Sequence, residues 1–141
     1  MSLFRWSSAY SVYLPEIDAE HRAIYRHGDE LHKALLAGAG PAQLNPILGN
    51  LLESAEQHFR HEERLMRAMH YTAFAWHKRQ HDAARKRSKA GAKRIAGGDA
   101  AAAGELLKFL SVWLRDHMSV ADRMMSAYLR NYLRFNTSLA S

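Results

Sequence analysis

Apolar residues recur along most of this chain in alternating steps of three and four, the spacing that lines one face of a helix. The longest run is Leu44, Leu48, Leu51, Ala55, His58, Glu62, Leu65 and Met69, a heptad seam without a slip. It predicts a helix ending near His70. Its start is either Pro41 or Pro46, because Asn45–Pro46 is itself a good cap and first-turn pair. An earlier stripe, Ile17, His21, Ile24, Leu31 and Leu35, predicts a helix capped by Asp18 and stopped by Gly38, Gly40 and Pro41. A third helix, capped by Thr72 and ending at Gly97–Gly98, places Phe74, His77, His81, Ala84, Ser88 and Ile95 on one face. A fourth, capped by Asp99, presents Ala103, Leu106, Leu110, Trp113 and His117, with Leu107 and Leu114 beside them.

Two segments frame these four. Residues 1–16 hold Trp6, Tyr10, Tyr13 and Pro15 without a helical repeat and read as an extended arm. Residues from about 122 to 133 read as a short final helix carrying Met124, Met125, Tyr128 and Leu129. No strand pattern occurs. Long helices with short links predict an all-α, up-down-up-down four-helix bundle over about residues 17–120, within one domain spanning 1–141.

The seams are not purely apolar. His21 falls on the first, His58 and Glu62 on the second, His77 and His81 on the third and His117 on the fourth. Residues four apart share a helix face, so the two residues of each pair point the same way. A buried polar group without a partner costs about 1–3 kcal/mol, so a core holding six at one level needs something to bind them. Asp122 follows His117 by five residues, about 140° away on an ideal helix, and joins the site only if the helix loosens or ends before it. The other histidines, His27, His32, His61 and His70, flank the seams and read as surface or boundary residues.

Composition narrows the chemistry. There are nine histidines among 141 residues and no cysteine, which excludes disulfides, thiolate zinc sites and iron–sulfur clusters. The formal charge is +6, and much of it comes from residues 78–94. That stretch lacks interleaved aromatics and reads as the solvated face of a helix, so no nucleic-acid partner is expected. No apolar run approaches the ~20 residues of a membrane helix. Met1–Trp6 lacks the layout of a signal peptide, which makes a cytoplasmic location the expectation.

With these motifs in place, the chain resembles a hemerythrin of the single-domain bacterial kind, over about residues 3–130. The resemblance rests on Ile17–Asp18 leading to His21, His58–Phe59 before Glu62–Glu63, His77 and His81, and Trp113–Leu114 leading to His117 and Asp122. It implies two iron ions, Fe2+ or Fe3+. His77, His81 and His117 would hold one and His21 and His58 the other, with Glu62, Asp122 and an oxo or hydroxo group as bridges. The first iron then has six ligands, and the second has five and one open position for O2, held there as a hydroperoxide. The family pattern also nominates Ile24, Phe59, Trp113, Leu114 and Met118 as an apolar oxygen pocket. Three residues depart from the family pattern. Glu20 stands where glutamine is usual and is expected to alter the surroundings of His21. Ala84 replaces a larger residue and leaves room for a gap or gas path, and Met118 stands where isoleucine is common.

The function this implies is reversible O2 binding for storage, delivery or sensing, not enzymatic turnover. Oxygen-activating di-iron proteins rely mostly on carboxylates, whereas two carboxylates serve five histidines here. The alternative is a redox enzyme at the same site, with peroxidase, oxidase or nitric-oxide chemistry. A zinc or structural metal site fits less well, since seven ligands exceed one tetrahedral ion. Sensing would require a separate redox or signalling partner.

Overall fold

The computed structural model describes the backbone of residues 3–140 and the side chains of residues 3–136. Four helices form the bundle: α1 (Pro15–Leu36), α2 (Pro41–Ala68), α3 (Phe74–Ala96) and α4 (Ala102–His117). Links of four or five residues join them. Such short links force sequential helices to run antiparallel, and α4 closes the ring by packing back on α1. After α4 the chain passes through a π-helical turn, Met118–Asp122, directly into α5 (Arg123–Ala140).

Several boundaries differ from those expected. α1 begins at Pro15, not at a cap on Asp18, because proline at the first helical position has a preset φ and no N–H to leave unpaired. Asp18 instead fastens the arm: its carboxylate accepts hydrogen bonds from the Val12 N–H at 2.9 Å and the Ser11 hydroxyl at 2.6 Å. α2 starts at Pro41 and carries Pro46 inside it. Thr72 does not cap α3, whose cap residue is Ala73. Asp99 lies one turn before α4, where its carboxylate accepts the Ala101 N–H and pairs with Arg94. The final helix is neither separate nor short, and its Met124 is exposed while Met125 and Leu129 are fully buried.

Three helix ends close with the same hydrogen-bond pair around a left-handed residue. Gly38 and Gly98 fill that position after α1 and α3, and His70 fills it after α2 with φ 57°. The N-terminal arm contains a short 3₁₀ turn at Ser8–Tyr10 and lies against α1 and α5. Phe4 is buried over Gly28, where an added Cβ would meet its ring at 2.4 Å. Arg130 and Arg123 of α5 donate to the carbonyls of Val12 and Ala9. Met1 and Ser2 of the expected arm lie outside the described residues.

Two apolar clusters fill the interior. One gathers Ile24, Leu31, Leu48, Leu51, Leu106, Leu110, Leu114 and Met118, and the other Met66, Tyr71, Met125 and Leu129. The polar seam residues fall between them along α1, α2 and the α4–α5 rod.

Candidate metal centre

All seven residues expected to bind metal are buried, and the structure brings them to one place. Four-residue spacing on α2 and α3 aims His58 with Glu62 and His77 with His81. The π turn solves the five-residue problem. Its i→i+5 repeat brings Asp122 under His117, where an ideal α-helix would carry it away. The two residues come within 3.1 Å, Nε2 to Oδ1.

The donor atoms form two groups that share both carboxylates. One is Glu62, His77, His81, His117 and Asp122, and the other is His21, His58, Glu62 and Asp122. Within each group the donor atoms lie within 4.8 Å of one another. Each carboxylate divides its oxygens between them. Glu62 Oε1 faces His77 Nε2 at 3.2 Å and His81 Nε2 at 3.1 Å, while Oε2 faces His58 Nε2 at 3.2 Å. Asp122 Oδ1 faces His77 and His117, each at 3.1 Å, while Oδ2 faces His21 at 3.0 Å. All five imidazoles thus turn Nε2 inward.

Many of these contacts lack hydrogen-bond alignment. Nε2 of His21, His58 and His117, Oε2 of Glu62 and both Asp122 oxygens are buried without a hydrogen-bond partner. At about 1–3 kcal/mol each, this is a heavy cost for a protein core, and cations placed between the converging lone pairs would remove it. The donor types also fit iron. Imidazole suits iron, and carboxylates bridge hard ions.

Electrostatics agree with a site built for cations. Burial pushes Glu62 and Asp122 upward, and Asp122 raises Glu62 further, yet the surrounding imidazoles hold both carboxyls well below their usual range. Burial pulls His58 down, but Glu62 and Glu20 outweigh it and carry His58 up to about 10. In the same way Asp122 and Glu62 overcome burial to lift His77 to about 9. Burial lowers His117.

Behind the donors lies an outer layer that differs from one group to the other. His81 Nδ1 pairs with Glu63 at 2.8 Å, and Arg85 donates to the same Glu63 oxygen at 2.8 Å. His117 Nδ1 meets the neutral Gln80 amide oxygen at 2.8 Å. His58 Nδ1 meets Glu20 Oε1 at 2.6 Å, and the other Glu20 oxygen meets His61 Nδ1 at 2.6 Å. Glu20 therefore acts on His58, not on His21 as its place in the sequence suggests. Adjacent residues on a helix point about 100° apart, so Glu20 faces α2 while His21 faces the interior. His61 is half-buried and bonded, more than a bystander beside its seam. Gln80 and Arg85 carry no signal in the sequence, where each looks like part of a solvated helix face. The pairing of Glu62 with Glu63 was the one legible hint.

The five expected pocket residues separate into two kinds. Ile24, Leu114 and Met118 are buried in the larger apolar cluster. Phe59 stacks on His81 at 4.2 Å and Trp113 on His117 at 4.4 Å, so both aromatics brace the three-histidine group. Ala84 is itself buried. One turn on, at Ser88, a groove of about 490 Å³ lined also by Leu52, Ala55, Phe59 and Ala92 opens between α2 and α3.

Residues 13–129 match the family model described as Hemerythrin HHE cation binding domain. Bacteriohemerythrin of Ralstonia nicotianae is 30% identical over 129 residues, covering 92% of this chain and 90% of its own. Bacteriohemerythrin of Methylococcus capsulatus is 26% identical over 125 residues, covering 88% and 95%. Crystal structures of hemerythrin variants substituted at one leucine superpose with TM-score 0.83 at 25% identity, covering 92% of this chain and 98% of theirs.

Proposed function

The chain belongs to the hemerythrin family, and from that premise we propose that it binds O2 reversibly at a non-haem di-iron centre. His77, His81 and His117 would hold one iron and His21 and His58 the other, with Glu62 and Asp122 offering an oxygen to each. Bound there, two ferrous ions supply the electrons that hold oxygen. The observation that carries this reading is the unequal division of donors around two shared carboxylates. One group offers three imidazoles beside the two shared carboxylates and the other only two, so an ion held by the second would keep one more position for O2.

The protein's own groups do the remaining work. Glu63, Gln80 and Glu20 each take the outward nitrogen of one imidazole, which fixes its orientation and tautomer. Ile24, Leu114 and Met118 keep water away from the free position, and Phe59 and Trp113 hold His81 and His117 in place. Storage, delivery and sensing all begin with this binding step.

Glu20 supports a second reading. Its carboxylate beside His58 adds negative charge to the open side of the centre, which favours oxidised iron and redox turnover over simple carriage. Oxygen titration of the reduced protein separates the two. Carriage predicts one O2 per two irons, released on flushing with argon. Irreversible uptake, or turnover that depends on an added reducing substrate, would support the enzyme.

A further inference from the structure

A groove of about 650 Å³ between α3 and α4 leads from solvent to His117, within the size range of small-molecule sites. Its floor is aromatic, formed by Phe109 and Trp113, and the Trp113 ring lies nearly parallel to that of His117, 4.4 Å away at 12°. Gln80, which accepts from His117, lines it too. Its charges are not balanced. Of its two carboxylates, Glu105 is paired with Arg94 and Asp116 with Arg115. The cations Arg87 and Lys108 have no ion-pair partner among the described residues, and Arg87 stacks its guanidinium over Phe109 at 4.6 Å. A second groove, beside His58 and Glu20, has no aromatic floor.

We propose that the α3–α4 groove binds a reduced flavin nucleotide, and that Trp113 passes its electrons through His117 to the metal centre. The inference rests on the di-iron reading above. An oxygen carrier whose irons have both become ferric is inert until a donor restores them. A reduced flavin gives up two electrons and two protons as its ring is oxidised, and two ferric ions become ferrous by taking one electron each. The flat ring matches the aromatic floor, and the phosphate matches Arg87 and Lys108.

The test titrates flavin mononucleotide (FMN) and riboflavin into the iron-loaded protein and follows quenching of flavin fluorescence. FMN should bind, while riboflavin, which lacks the phosphate, binds at least about tenfold more weakly. Arg87→Ala combined with Lys108→Ala should weaken FMN to the level of riboflavin. Trp113→Phe keeps an aromatic floor, so FMN still binds, but loss of the ferric absorption on mixing with reduced FMN slows by about tenfold or more. Absence of FMN binding, or binding indifferent to the double substitution, overturns the site. An unchanged rate in Trp113→Phe overturns the relay. Iron analysis of the same samples judges the di-iron reading separately: FMN binding with the expected charge dependence in a protein that retains no iron would overturn that reading and leave the groove standing.

Discussion

The two halves of the centre use the same inward chemistry and opposite outward chemistry. Around His77, His81 and His117 the outer layer is electrically quiet: Glu63 is offset by Arg85, and Gln80 is neutral. Around His58 it is charged. Glu20 is shared only with His61, and its carboxyl, though burial raises it, is held low by the hydrogen bonds of His58 and His61. One imidazole in each half, His21 and His77, has an outward Nδ1 without a hydrogen-bond partner. The three-histidine half, braced by Phe59 and Trp113, thus carries a balanced outer layer, and the two-histidine half carries the Glu20 charge.

The most severe way to break this comparison is to remove what the halves share. Glu62→Ala and Asp122→Ala each delete a bridge, so both irons should be lost. Ala substitution at His32 or His70, outside the donor set, should leave iron content intact. Metal analysis after desalting reads this directly, and iron loss from His32→Ala equal to that from Glu62→Ala would mean that the histidines are wrongly divided.

Next in size is a proton count. In the metal-free protein His58 titrates at about 10 and His77 at about 9, so both carry protons at pH 7. Iron must displace them, and loading should release about two protons per chain, seen with an indicator in weak buffer. The same shifts fix the sign of metal-free stability. These raised histidines stabilise fully below about pH 6.5, and their contribution fades as pH rises through 9 and 10. Glu62 and Asp122 act oppositely, and their contribution fades only as acid reaches their depressed range. Denaturation of the metal-free protein across pH 6–10 should therefore show falling stability.

A smaller effect separates the outer layers. Glu20→Ala should weaken retention of one iron by about tenfold to a hundredfold, the usual cost of an outer partner. Glu20→Gln keeps a hydrogen bond and loses the charge, so it should retain iron yet raise the reduction potential of the centre. Equal potentials in Glu20→Gln and the parent would show that the charge asymmetry has no influence. The smallest effect belongs to Met118. Its flexible chain seals the pocket less rigidly than a branched one, so Met118→Ile should slow autoxidation while costing less than about 1.5 kcal/mol in stability. Unchanged or faster decay of the oxygenated absorption band would remove Met118 from the gate.

How much of this was legible depended on whether a residue's role followed helix periodicity. The α2 seam from Leu44 to Met69 and the paired positions 58, 62, 77 and 81 did, and the bundle and the inward donors came with them. The π turn was legible only as a need, since the five-residue step to Asp122 demanded a loosened helix without saying that the rod continues. The cap on α1 was misplaced because Asp18 and Pro15 both suit a helix start, and only the arm's demand for Asp18 decides between them. Contacts between helices left no mark. Nothing in the order Glu20–His21 reveals that the glutamate reaches across to His58 and His61.

The central claim, two unequal irons in one chain, is tested most directly by Mössbauer spectroscopy of protein loaded with ⁵⁷Fe, with iron counted on the same sample. The account predicts two irons per chain and, after oxygen exposure, two quadrupole doublets of equal area, one for each half. One iron per chain, or a single zinc after expression in iron-replete medium, would contradict it.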